Sequence, residues 1–219
     1  MIDGRGEAAV IVMMPKRIGI DFDNTIVAYD EVFCAMAKRS GLIDPAFVGN
    51  KQEVRDAIRL LPDGELAWQR LQGQVYSKGI TEAKMIDGFE AFLRRCRAEG
   101  CATMVVSHKT EYGHFDPDRV SLRDAAWRWM RARGLLDDEG GLPAANVFFE
   151  STRSEKLARI ASLSCTHFVD DLEEVLSDPG FPPGVQRILL SDVVRTQGLM
   201  PCIVCASWRD IGEQIFERG

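Results

Sequence analysis

Arg17-Ile18-Gly19-Ile20-Asp21-Phe22-Asp23-Asn24-Thr25-Ile26 is the stretch on which the fold turns. It opens with a short apolar run that ends abruptly in two carboxylates, Asp21 and Asp23, spaced by one residue. Such runs, bounded by polar residues, read as strands buried on both faces. In extended backbone, residues i and i+2 point to the same side, so the two carboxylates share a face. A solvated Asp-x-Asp-Asn turn is the plain alternative, and the position directly behind a core strand speaks against it.

Similar runs recur at Ala102 to Val106, Asn146 to Phe149, Thr166 to Val169, Gln186 to Leu190 and Cys202 to Cys205. Helical stripes lie between them: Phe89, Phe92, Leu93 and Cys96 form one, and Ala125, Trp127, Trp129 and Met130 belong to another. This alternation predicts an α/β fold, a parallel Rossmann-like sheet between two helical layers. Ligands of open parallel sheets bind at the carboxyl ends of the strands, where Asp21 and Asp23 stand.

One connection is too long for the pattern. About 60 residues separate the first strand from the helix leading into the second, where a loop needs about 2 to 6. Val54, Ala57, Ile58 and Leu61, then Trp68, Leu71 and Val75, recur at helical spacing. Residues 29 to 86 are therefore expected to form a small all-helical insert, with 1 to 28 and 87 to 219 making the core. Met13 and Met14 directly precede Pro15-Lys16-Arg17, so residues 1 to 12 are expected to be a dispensable extension.

The chain has 219 residues, 46% hydrophobic and 27% charged, which suits one ordinary globular domain carrying an insert. A formal net charge of -6 repels polyanions and disfavours nucleic acid as a partner. A phosphorylated substrate then needs a bound cation and a few well-placed Lys or Arg residues. Ala8 to Met14 is far shorter than the ~20 apolar residues of a membrane span, and no secretory leader is evident, so the expected setting is the cytoplasm. Six scattered cysteines fit reduced thiols there. Cys202 and Cys205 form a C-x-x-C within an apolar run and lack the second ligand pair of a zinc site.

Three further strand or helix ends carry chemistry. His167-Phe168-Val169-Asp170-Asp171 ends a run in a second acidic pair. If both pairs meet at one edge, each close carboxylate pair costs roughly 4 kcal/mol at 4 Å and an effective dielectric of 20, which calls for a cation. All-oxygen ligands select a hard ion, and Mg²⁺ fits a site that also receives phosphate. Taken alone, Asp170 and Asp171 could equally cap the following helix. Met104-Val105-Val106-Ser107-His108-Lys109 ends in a hydroxyl able to donate to a phosphate oxygen. Lys156 opens a helix, where dipole and ammonium both favour an anion, although a surface lysine would look the same.

Together and in this order, these features resemble the haloacid dehalogenase superfamily of phosphatases over nearly the whole chain. The family's D-x-D-x-T motif falls on Asp21, Asp23 and Thr25, its Ser or Thr on Ser107, its Lys on Lys156 and its acidic pair on Asp170 and Asp171. The insert looks like the small helical cap that many members carry at this point. The resemblance implies a Mg²⁺-dependent phosphomonoester hydrolase, with Asp21 as nucleophile through an aspartyl-phosphate and Asp23 as general acid and base. Thr25, Ser107, His108 and Lys156 would hold phosphate. The metal would be taken by Asp21, the Asp23 backbone carbonyl, Asp170 and Asp171, with the inner-sphere member of the last pair left open.

Asp23 argues against halide displacement, since members of that kind lack it. Phosphoryl transfer to a second hydroxyl, as in phosphomutases, uses the same motifs and stays open, as does a catalytically silent phosphate-binding domain. A phospho-acceptor receiver module places its acidic pair on the first strand and its acceptor on a later one, and it lacks such an insert. The expected partner is a small phosphorylated molecule such as a sugar phosphate or nucleotide. Tyr29, Lys109 and His114, the last in a polar loop from Thr110 to Arg119 with Asp116, are specificity candidates. Lys51, Arg55 and Arg59 at helical spacing suit a solvated face better than an anion contact, and His167 suits the core.

Overall fold

The computed structural model describes residues 15–113, 118–136, 141–192 and 202–217. The expected extension over residues 1 to 12, and His114 and Asp116 of the polar loop, lie outside them. Six strands, β1 (Arg17–Ile20), β4 (Ala102–His108), β5 (Val147–Glu150), β6 (His167–Asp170), β7 (Gln186–Leu190) and β8 (Ile203–Cys205), form a parallel sheet in the order β5-β4-β1-β6-β7-β8. β1 lies between β4 and β6, with Ile20 opposite both Val105 and Val169. The ends of these three neighbours therefore reach one rim together.

Alternation along each strand divides the core in two. Val105 and Val169, with Ile18 and Ile20, face helices α4 (Phe89–Ala98), α5 (Leu122–Ala132) and α8 (Trp208–Phe216). Met104, Val106 and Phe168 face α6 (Arg153–Ser162) and the single turn α7 (Glu173–Leu176). The three-layer expectation holds. Between Ile18 and Ile20 the chain needs glycine: a Cβ on Gly19 would stand 2.6 Å from Phe168 Cδ2 and 3.0 Å from Cys165 Sγ. β1 thus lies close against its neighbour's aromatic ring.

After β1 the backbone turns sharply through Phe22 to Val27. Asn24 takes a left-handed φ of 55°, a conformation that Asn tolerates better than most residues. Its amide donates to the Val27 carbonyl, and the Ile26 and Val27 amides donate to Phe22.

The long connection leaves along β2 (Val27–Ala28) and returns along β3 (Lys84–Met85), paired antiparallel with Ala28 opposite Lys84. Between them stand α1 (Asp30–Arg39), α2 (Lys51–Arg59), α3 (Gly64–Ser77) and a 3-10 turn over Gly79–Glu82. They pack through Val32 and Phe33, Val54 and Ile58, and Trp68, Leu71 and Val75, with Phe33 and Trp68 stacked at 5.0 Å. Asn50 and Glu53 cap α2 reciprocally. Leu61, expected on the apolar stripe, falls beyond the end of α2 and is exposed. The helical period breaks there, so the residue does not continue the face. α3 then approaches the loop after β4 so closely that a Cβ on Gly113 would stand 2.7 Å from Gly73 Cα.

Candidate active site

Asp21 follows β1, its amide donating to the Val169 carbonyl at 2.9 Å, so the β1–β6 ladder continues into the acidic residues. Asp170 is the last residue of β6 and is fully buried. Lys156 reaches them from α6, whose first turn is fixed by a capping box between Thr152 and Glu155. Its ammonium donates to Asp21 Oδ1 and Asp170 Oδ2, each at 2.6 Å. The other Asp170 oxygen accepts from the Leu172 amide at 2.9 Å. Asp170 closes a turn here and does not cap α7, whose N-cap is Leu172. Asp171 is half-buried and faces the cavity. Oxygens of Asp21, Asp170 and Asp171 lie within 4.8 Å of one another.

Crowding of this kind has an electrostatic signature. Burial raises the Asp21 pKa, and Lys156 only partly offsets that while Asp170 and Asp23 add to it. Asp171 is likewise pushed up, first by burial and then by Asp21 and Asp170. For Lys156, burial works against the charge, yet Asp21 and Asp170 outweigh it and hold the pKa above the usual lysine value. A single buried ammonium is too little positive charge for three carboxylates. The donor set, all carboxylate oxygen, fits a hard divalent cation.

Asp23 stands apart from Lys156 and has its own partners. Lys109, buried, donates to Asp23 Oδ1 at 3.0 Å and approaches Oδ2 at 2.9 Å. The Tyr29 hydroxyl donates to Oδ1 at 2.9 Å. Tyr29 is itself fully buried, and burial followed by the Asp23 charge drives its pKa up, so the phenol stays protonated as a donor. Asp23 is thereby gripped from both sides, by the core loop after β4 and by the residue at which α1 begins.

Asp21, Asp23, Tyr29 and Lys156 line a cavity of about 830 Å³ under the helices of the insert, with Ser107, His108, Lys51, Trp68, Tyr76 and Asp171 also among its walls. No protein-family model matches the sequence, and a search of curated proteins finds no match. Solved structures do match in shape. Protein Tyrosine Kinase A of Mycobacterium tuberculosis superimposes with a TM-score of 0.59 at 16% identity, over 92% of this chain and 98% of that one. The HAD-hydrolase YfnB of Bacillus subtilis, bound to magnesium, gives 0.59 at 11%, over 93% and 100%. A HAD family hydrolase of Deinococcus radiodurans, with bound phosphate and sodium, gives 0.54 at 14%, over 93% and 96%.

The chain has the haloacid dehalogenase fold. Set on it, most of the residues singled out in the sequence meet at one rim. Asp21, Asp23, Ser107, His108, Lys156 and Asp171 all face the cavity, and Asp170 lies just behind. Ser107 is buried at the end of β4, while His108 is exposed, its Nε2 3.0 Å from the Ser151 carbonyl. Thr25 is the exception among the expected phosphate contacts. It is fully buried away from the cavity lining, its carbonyl accepts from Trp208 Nε1, and its hydroxyl has no hydrogen-bond partner among the described residues. The sharp turn through Asn24 directs it into the core. Its place in this fold is behind the site.

Two specificity candidates are not free in the cavity wall, since Tyr29 and Lys109 both bond Asp23. Among the three cations at helical spacing, Lys51 and Arg55 line the cavity, whereas Arg59 pairs with Glu65 outside it. Only Arg59 follows the solvated reading. His167 is buried on β6, 2.8 Å from the Thr166 hydroxyl, and burial lowers its pKa. All six cysteines are free, which leaves the C-x-x-C without a pairing role. Tyr76 went unnoticed in the sequence. It sits beside Val75 of the α3 stripe, one residue off the apolar period, and only the packing of α3 over the rim brings it to the site. Among the described residues no helix is long and apolar enough to cross a membrane.

Proposed function

We propose that this chain is a Mg²⁺-dependent phosphomonoester hydrolase working through Asp21 on a small organic phosphate, with residues 29 to 86 acting as its cap. The observation that carries this reading is the meeting of Asp21 with Asp170 and Asp171, across a long stretch of chain, around one buried lysine. The magnesium in YfnB and the phosphate in the Deinococcus radiodurans hydrolase, both of the same fold, support the choice of ion and substrate class. Asp21, Asp170 and Asp171 would hold the ion, which would neutralise charge where one anion approaches another.

In the first half-reaction an Asp21 oxygen attacks phosphorus and the bond from phosphorus to the ester oxygen breaks. Asp23 gives its proton to that leaving oxygen. In the second half Asp23 takes a proton from water as the water oxygen attacks phosphorus, and the bond to Asp21 breaks to release inorganic phosphate. Lys109 and Tyr29 keep the Asp23 carboxyl aimed through both halves, because each holds it by a hydrogen bond. Ser107 and Lys156 line the same cavity, which supports a role for them as donors to phosphoryl oxygens.

Release of phosphate from an aryl phosphate tests the reading. Activity should require Mg²⁺, vanish with a chelator and vanish in Asp21→Asn. Undiminished turnover in Asp21→Asn would remove Asp21 as the nucleophile.

A further inference from the structure

Lys51 opens α2, and its ammonium extends over two rings of the insert, 5.4 Å from the centre of Phe33 and 5.5 Å from that of Tyr76. It donates to the Tyr76 hydroxyl at 2.8 Å. The other cations of the cavity wall are engaged: Lys156 by Asp21 and Asp170, Arg153 by Glu174 at 2.5 Å, and Arg55 by Asp56 at 2.9 Å. Among the described residues no carboxylate comes within ion-pair reach of the Lys51 ammonium. The rings fix its position, yet they do not supply a countercharge.

Two donors converge at this point. An ammonium has no acceptor, so Tyr76 accepts from Lys51 and keeps its own proton free to donate. Burial acts against the Lys51 charge, but the Tyr76 hydroxyl and the Asp171 and Asp23 carboxylates overcome it and raise the pKa. The group is an ammonium at neutral pH, which sets aside a role as an amine nucleophile. Its place relative to the chemistry follows from a chain of contacts. Tyr76 meets the Tyr29 ring edge-on at 4.9 Å, and the Tyr29 hydroxyl bonds Asp23. Lys51 is thus linked through Tyr76 and Tyr29 to the group that would protonate the leaving oxygen, on the wall that the insert contributes to the cavity.

We propose that the substrate's alcohol portion carries a second anionic group, carboxylate or phosphoryl, and that the Lys51 ammonium and the Tyr76 hydroxyl bind it. This inference rests on the phosphohydrolase reading for the placement of the ester. An anion here would complete the ammonium's missing charge pair in a partly desolvated wall, where a charge-assisted hydrogen bond is worth about ten- to a hundredfold in affinity.

The test uses three matched probes with Mg²⁺: butyl phosphate, its analogue ending in a carboxylate, and the corresponding bisphosphate. One or both anionic probes should exceed butyl phosphate about ten- to a hundredfold in kcat/KM, and the larger gain identifies the group. Lys51→Met should bring that ratio towards one, and Lys51→Arg should keep most of it. A wild-type ratio near one, or a ratio that Lys51→Met leaves intact, overturns the proposal. Calorimetric binding of the same probes to Asp21→Asn reads the anion site without turnover. If no probe is hydrolysed, the phosphohydrolase reading fails, and equal binding of all three sinks the second-anion site independently.

Discussion

Replacing Lys156 with Met removes one charge and little volume. The ammonium lies 2.6 Å from both Asp21 and Asp170 in a buried setting. At an effective dielectric of about 20, each contact is worth roughly 6 kcal/mol of gross attraction. Desolvation of three charges offsets most of that sum, and the net cost of removing one partner from a buried pair is about 3 to 5 kcal/mol. In a chain of this size each kcal/mol moves the melting temperature by about 2 to 4 °C. Metal-free Lys156→Met should therefore melt about 6 to 20 °C below wild type at pH 7.5. The deficit should shrink towards pH 5, because Asp21, whose pKa is already raised, takes up a proton and no longer needs the ammonium. Differential scanning calorimetry over this pH range, with chelator present, measures both effects. An unchanged melting temperature at pH 7.5 would mean that Lys156 is not the counterion of this cluster.

Three other outcomes follow from the same geometry. In the metal-free protein, Asp21 and Asp171 hold protons that the unfolded chain has released, so stability falls as pH rises from the ordinary carboxylate range through their raised values. Mg²⁺ should therefore raise the melting temperature more at pH 8.5 than at pH 5.5, and an equal gain would place the ion elsewhere. Gly19→Ala puts a methyl 2.6 Å from Phe168 and should cost about 1 to 3 kcal/mol in urea unfolding, unless that ring can swing aside. Lys109→Met releases Asp23 from its buried partner and, with Asp23 in its proposed role in proton transfer, should lower kcat about tenfold or more with a smaller change in KM. A rise confined to KM would make Lys109 a substrate contact.

The centre of the sheet could be read from sequence because β1, β4 and β6 are largely buried on both faces and so appear as short apolar runs. Gly19 and Phe168, packed against each other across β1 and β6, belong to two such runs. β2 and β3 could not be read, as two residues each are too few for any periodicity to show. Asp21, Ser107, Lys156 and Asp170 were legible because each sits at a strand end or helix start, positions that the topology itself brings to the rim. Tyr76 and the inward turn of Lys51 depend on how α2 and α3 lean over that rim, which their own spacing does not encode. Thr25 shows the converse: a motif position whose side chain is decided by a local turn at Asn24.

The ribbon of β2 and β3 has a consequence for how a chain of this fold can diversify. Ala28 and Lys84 face each other across it, so residues 29 to 83 begin and end at adjacent points, about 5 Å apart as paired strands are. A module attached by neighbouring ends can grow, shrink or be exchanged for another without altering the spacing of β1, β4 and β6. Under the proposed function, selectivity could then change through the exchangeable piece without moving the acidic rim beneath it.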